Sequence, residues 1–128
     1  MRDLVSNISP VQVVAPAVHS ATATSAALDL LGFDSAVLVV STGTIVGSGN
    51  FTAKVQESDT TTSGDFTDVS AADLRGGFPA SLAENAVARV GYIGRKRYVR
   101  VVITKNSGTS IAAGAMLVKG SAAPRPVS

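Results

Sequence analysis

Hydrophobic and polar positions alternate with a period of two in several short stretches, most cleanly in Phe51-Thr52-Ala53-Lys54-Val55-Gln56-Glu57. Successive side chains of a strand point to opposite faces, so Phe51, Ala53 and Val55 share an inner face, Thr52, Lys54 and Gln56 an outer one, and the segment predicts a half-exposed strand. The same period runs through Arg97, Val99, Val101 and Ile103 on one face and Tyr98, Arg100, Val102 and Thr104 on the other. Two further stretches are apolar without alternation. In Ser35-Ala36-Val37-Leu38-Val39-Val40-Ser41 five consecutive apolar residues are bounded by serines, and Ile111 to Val118 is apolar on both faces, with small residues that permit close sheet packing. Such runs predict strands buried on both faces or at the centre of a sandwich. Weaker signals place short strands at Val11 to Val14, closed by Pro16, at one or two positions between Ala17 and Leu31, where Leu28-Asp29-Leu30 alternates, and at Phe66 to Val69.

Glycine, proline and polar clusters punctuate these runs. A turn is expected at Gly32-Phe33-Asp34, a hairpin loop across Thr42 to Asn50, a polar loop at Ser58 to Asp65, and a turn of hairpin composition at Lys105 to Ser110, which would make the strands on either side of it antiparallel partners. Single helical turns fit Ser70 to Leu74 and Ser81 to Asn85. Residues 1–10 read as an N-terminal arm or edge segment ending in Ser9-Pro10, and residues 119–128 as an extended C-terminal tail with Pro124 and Pro126. Strands separated by turn signals about every eight to twelve residues, with no long amphipathic helix to cover a sheet, must form two sheets that cover each other. The fold class is therefore all-β, an antiparallel β-sandwich with extended N- and C-terminal arms. At 128 residues the chain is one domain's worth, 1–128.

Composition adds constraints on the core. There is no Trp and aromatic residues make up 5% of the chain, so small and β-branched side chains must fill the interior, as suits strands. With no Cys, disulfides, thiolate metal sites and thiol nucleophiles are all excluded. Met1 to Asn7 lacks an apolar leader core, and Val11 to Ala17 is short and interrupted by Gln12 and Pro16, so the sequence reads as a soluble protein made in a cytoplasm, with no membrane partner.

Charge is segregated although the net is only +2. From Glu57 to Asp73 there are five acids, Glu57, Asp59, Asp65, Asp68 and Asp73, and no base; from Arg89 to Lys105 there are six bases and no acid, with Arg95, Lys96, Arg97 and Arg100 packed together. Opposite patches attract each other within one fold or between neighbours, so these nine residues are the candidate protein–protein interface.

Other chemistry finds little support. The glycines of Thr42 to Asn50 lack the Gly-Lys-Ser/Thr ending and following helix of a phosphate loop. The acids of residues 57–73 lack calcium-loop spacing, His19 stands alone, and Gly47-Ser48-Gly49 is not a nucleophile elbow. No catalytic, cofactor-binding or metal residues are assigned, and the protein is expected not to be an enzyme. Tyr92, Arg95, Lys96, Arg97, Tyr98 and Arg100 interleave bases with aromatics as nucleic-acid strips do, but the acidic loop would repel phosphate, which weighs against nucleic acid.

Gly32-Phe33-Asp34-Ser35-Ala36-Val37, Val55-Gln56-Glu57-Ser58-Asp59, Gly91-Tyr92-Ile93-Gly94-Arg95-Lys96-Arg97-Tyr98-Val99-Arg100 and Ile111-Ala112-Ala113, in that order, resemble small proteins encoded near major capsid protein genes in tailed bacteriophages and prophages. These include capsid decoration, or cement, proteins. The resemblance spans residues 28–120 and implies a jelly-roll sandwich in the virion, assembled in the host cytoplasm. It further implies a homo-oligomer, dimer or trimer, that binds the major capsid protein on the outside of the head and stabilises it. A head–tail connector, neck or tail protein is the alternative within the virion. A carbohydrate- or receptor-binding sandwich is the alternative outside it, weakened by the scarcity of aromatic residues on which sugars stack.

Overall fold

The period-two and all-apolar stretches become strands in the computed structural model, which describes residues 8–30 and 33–122. In chain order these are β1 (Ile8–His19), β2 (Ala23–Thr24), β3 (Leu28–Asp29), β4 (Phe33–Val46), β5 (Asn50–Ser58), β6 (Thr67–Asp68), β7 (Leu74–Gly76), β8 (Val87–Tyr92), β9 (Tyr98–Ser107) and β10 (Ser110–Ala122). One sheet has the order β1-β10-β4-β8-β7 and the other β2-β9-β5-β6, with β3 also paired to β9. Every pairing among the described residues is antiparallel. The chain passes from the first sheet to the second and back repeatedly, β1 to β2 and β3, then β4, then β5 and β6, then β7 and β8, then β9, then β10. That succession is the jelly-roll form of the antiparallel sandwich.

The core lies between the sheets, where the alternation predicted it. Leu38 and Val40 of β4, Phe51 and Val55 of β5, Val99, Val101 and Ile103 of β9, and Ile111 and Leu117 of β10 meet there, nearly all without exposure. Phe51 is the largest of the fully buried side chains, and small or β-branched residues surround it.

Several turn expectations are corrected by this topology. Phe33 and Asp34 belong to β4 rather than to a turn, while Gly32 lies outside the described residues. Thr42 to Asn50 is not a hairpin loop: β4 continues to Val46, and Gly47-Ser48-Gly49 carries the chain across to the other sheet. In the same way β9 and β10 are not hydrogen-bonded partners. β9 pairs with β2, β3 and β5, β10 with β1 and β4, and Gly108-Thr109 is a second crossing beside the first. The two crossings touch, and Gly108 is held at φ 82° where a Cβ would lie 2.5 Å from the Ser48 carbonyl oxygen.

Edges and ends differ too. β1 runs through both Pro10 and Pro16, because it is the edge strand of its sheet and its register slips twice, between Gln12 and Val14 and between Val14 and Ala17. Pro16 leans on Gly114, where a Cβ would come within 3.1 Å of the proline Cα. Lys119 to Ala122 belong to β10 and Ile8 to Pro10 to β1, so these parts of the expected arm and tail are strand, and the rest of both expectations, residues 1–7 and 123–128, lies outside the described residues. The expected turn at Ser70 to Leu74 is a 3-10 turn, Ala71–Asp73, capped by the Ser70 hydroxyl. Ser81 to Asn85 is not helical: Leu82 is buried and its N–H donates to the Phe51 carbonyl, while Thr42 Oγ1 donates to Ala83 and accepts from the Ala86 N–H. The segment spends its donors on β4 and β5 instead of on itself.

Candidate protein interface

The acidic and basic segments come together because the register of β5 on β9 places residues 56–58 opposite residues 98–100. Lys96 Nζ lies 2.9 Å from Asp59 Oδ2, and that carboxylate holds the Lys96 ammonium charged to higher pH than usual. Arg100 Nε donates to Gln56 Oε1 at 2.8 Å, Gln56 Nε2 donates to Asp68 Oδ1 at 2.9 Å, and Lys54 Nζ sits 3.3 Å from the same oxygen. These residues form a row across β9, β5 and β6 on the outer face of the second sheet. The Gln56 and Lys54 contacts hold the Asp68 carboxyl below its ordinary range. The Arg100 guanidinium also lies over the Phe66 ring, 4.4 Å from its centre.

Beneath this row is a buried hydroxyl. Tyr92 is 3% exposed, and its Oη donates to Glu57 Oε1 at 2.6 Å and accepts from the Lys96 N–H at 3.1 Å. Burial, with the Glu57 carboxylate beside it, drives the phenol well above its ordinary pKa. The pair ties the loop after β8 to β5.

Not all nine sequence-selected residues join the network. Arg97 turns away to Asp29, bidentate at 3.0 and 2.9 Å, and this carboxylate raises its already high pKa further. Asp65 accepts from Thr60 Oγ1 at 2.7 Å within its own loop, and Asp73 takes part through its backbone, accepting from the Ile93 N–H. Arg95 is exposed, with no side-chain hydrogen bond or ion pair among the described residues. The interleaved basic and aromatic strip is thereby broken up: Tyr92 is core, and Lys96, Arg97 and Arg100 are each held by a partner in the same chain. No group of three or more His, Cys, Asp or Glu side chains among the described residues could hold a metal ion.

The surface that sequence reasoning missed is the outer face of the first sheet. Here Val18, Val39, Val87, Ala112 and Met116 point outward, with Val18 and Val87 each 70% exposed and Met116 44%. Its charged residues among those described are Arg75 and Arg89. They are diagonal neighbours on β7 and β8, both exposed and without an ion pair or hydrogen bond among the described residues. The signal that could have found this face was the absence of alternation in β4 and β10, strands whose two faces are both apolar.

No protein-family model matches the chain, and no curated protein matches it. Among solved structures, a protein of the disulfide-linked pili that form Bacillus endospore appendages is similar at 16% identity and a TM-score of 0.50, over 89% of this chain and 88% of that one. The SPBc2 prophage-derived protein YomS aligns at 11% identity and a TM-score of 0.47, over 87% of this chain and 94% of that one. A chain of infectious bursal disease virus, Gx strain, aligns at 13% identity and a TM-score of 0.43, over 88% of this chain and 31% of that one. The likeness to the endospore protein is one of fold.

Proposed function

We propose that this protein is a structural component of a phage or pilus-like assembly, and specifically a virion protein that binds the outside of a tailed-phage head and stabilises it. The observation that carries this reading is the contrast between the two outer faces of the sandwich. On one face Lys54 and Lys96 are paired with acids of the same chain and Arg100 with Gln56; the other is a broad apolar sheet with Arg75 and Arg89 at one edge. An apolar sheet face with a charged rim suits burial against another subunit of an assembly, a further copy of this chain included. Between the two assemblies, the endospore pili are disulfide-linked, whereas this chain contains no cysteine. The residue pattern resembling capsid cement proteins supports the head. Purified protein added to expanded heads that lack it should bind at a fixed copy number in the hundreds per particle and raise their resistance to heat. A copy number of about a dozen would indicate a neck ring instead, and failure to bind either structure would refute the proposal.

A further inference from the structure

We infer that the outer face of the β1-β10-β4-β8-β7 sheet is a self-association surface, and that a second copy of this chain covers it. The first reason lies in the strands themselves. Val37, Val39 and Val118 face outward from β4 and β10 while Leu38, Val40 and Leu117 face the core, so both central strands carry apolar residues on both sides. Strands of that kind belong to sheets covered on both faces, and one copy of the chain covers only one.

Shape points to a second copy as the cover. A patch that pairs with itself must offer both a projection and a recess. This face has a shallow depression floored by Gly43 and Ala112, where a Cβ on Gly43 would already touch the Ala112 methyl at 3.3 Å. Beside it stand the side chains of Val18 and Met116, the first 70% and the second 44% exposed. Each copy can therefore seat its projections in the recess of the other.

Area and charge agree. Five strands about 4.8 Å apart, averaging roughly nine residues at about 3.3 Å each, present roughly 700 Å². A stable interface takes about 800 Å² from each partner. Among the described residues the face carries two charged side chains, Arg75 and Arg89, both at its β7–β8 edge. That edge lies on the far side of β4 from Val18, Met116 and the recess, whose lining holds no charged side chain.

The inference does not depend on head binding, and its test uses no heads. Sedimentation of the purified protein should give twice the 12.9 kDa chain mass, falling to one chain on dilution. Val18→Glu and Met116→Glu should each weaken association at least about 100-fold, since each places two unpaired carboxylates in the interface. Thr67→Glu, on the other sheet, should leave it unchanged. Circular dichroism confirms that each variant is folded. A second measurement covers a variant that fails to fold: the chain has no cysteine, so Met116→Cys should yield a disulfide-linked dimer under mild oxidation and Thr67→Cys should not. A mass of one chain at every concentration overturns the inference. So does a dimer that withstands the two glutamates, or one that cross-links through position 67.

Discussion

Replacing Tyr92 by Phe isolates the hydroxyl that joins the acidic and basic segments. The ring remains in the core, where it is 3% exposed, so packing is nearly unchanged and only the polar contacts are lost. Two are removed: the 2.6 Å donation to Glu57 and the 3.1 Å acceptance from the Lys96 N–H. A hydrogen bond to a charged group contributes about 1.5–3 kcal/mol. Glu57 and Lys96 retain some access to water, which recovers part of this, and the expected loss is about 2 kcal/mol. For a chain of this length that lowers Tm by roughly 6–10 °C in a calorimetric or circular-dichroism melt. The pH dependence gives an independent check. The folded phenol has a raised pKa, so its contribution is complete below the ordinary value of 10.0 and is lost as pH rises above it toward the folded value. The stability gap between wild type and Tyr92→Phe should be flat up to about pH 10 and then narrow by up to about 1.4 kcal/mol per pH unit. A melt within about 1 °C of wild type at neutral pH, or a gap that stays constant into the alkaline range, would refute the assignment of the Tyr92–Glu57 bond as a stabilising tie.

Three other outcomes follow from the same geometry. Asp68→Asn should cost no more than about 0.5 kcal/mol at neutral pH, because the Lys54 and Gln56 contacts are exposed to solvent. Its lowered folded pKa means that this contribution is present above the ordinary value of 3.8 and lost as pH falls below it, so urea midpoints of wild type and variant should converge in acid. Gly108→Ala should destabilise by roughly 2–4 kcal/mol, combining the left-handed backbone with overlap against the neighbouring crossing, and a wild-type urea midpoint would contradict the contact of the two turns. Arg97→Glu should lower the Tm of the isolated chain, and adding Asp29→Arg should recover part of it; no recovery would show that the bidentate pair is not a stabilising contact.

Tyr92 and Arg97 show where the reading of the chain stopped. The sequence marked Tyr92 as a surface aromatic among bases, since it follows Gly91 and precedes Gly94-Arg95-Lys96. Its burial depends on β8 ending at Tyr92 and lying beneath Glu57 of another sheet, a relation between residues 35 positions apart. The alternation puts Arg97 on one face with Val99, Val101 and Ile103, and the charge pattern offers it a partner among the acids of residues 57–73. It lies instead at Asp29, brought alongside by the pairing of Asp29 with Tyr98. Arg75 stands alone between Leu74 and Gly76, and Arg89 reads only as the start of the basic run that ends at Lys105. Only the sheet places them on one face without an acid.

By itself the sequence determined the all-β class, the inward faces of β5 and β9, the small-residue core and the segregation of charge, because side-chain alternation and burial are properties of a few adjacent residues. Only the tertiary structure decided which strand pairs with which. Gly47 to Gly49 and Gly108-Thr109 have the composition of hairpin turns yet carry the chain between sheets, since β4 pairs with β10 and β8, and β10 with β1 and β4, rather than with the strand across the turn. That arrangement pairs Lys54 and Lys96 on the second sheet's side with acids of the same chain and leaves the outer face of the first sheet apolar.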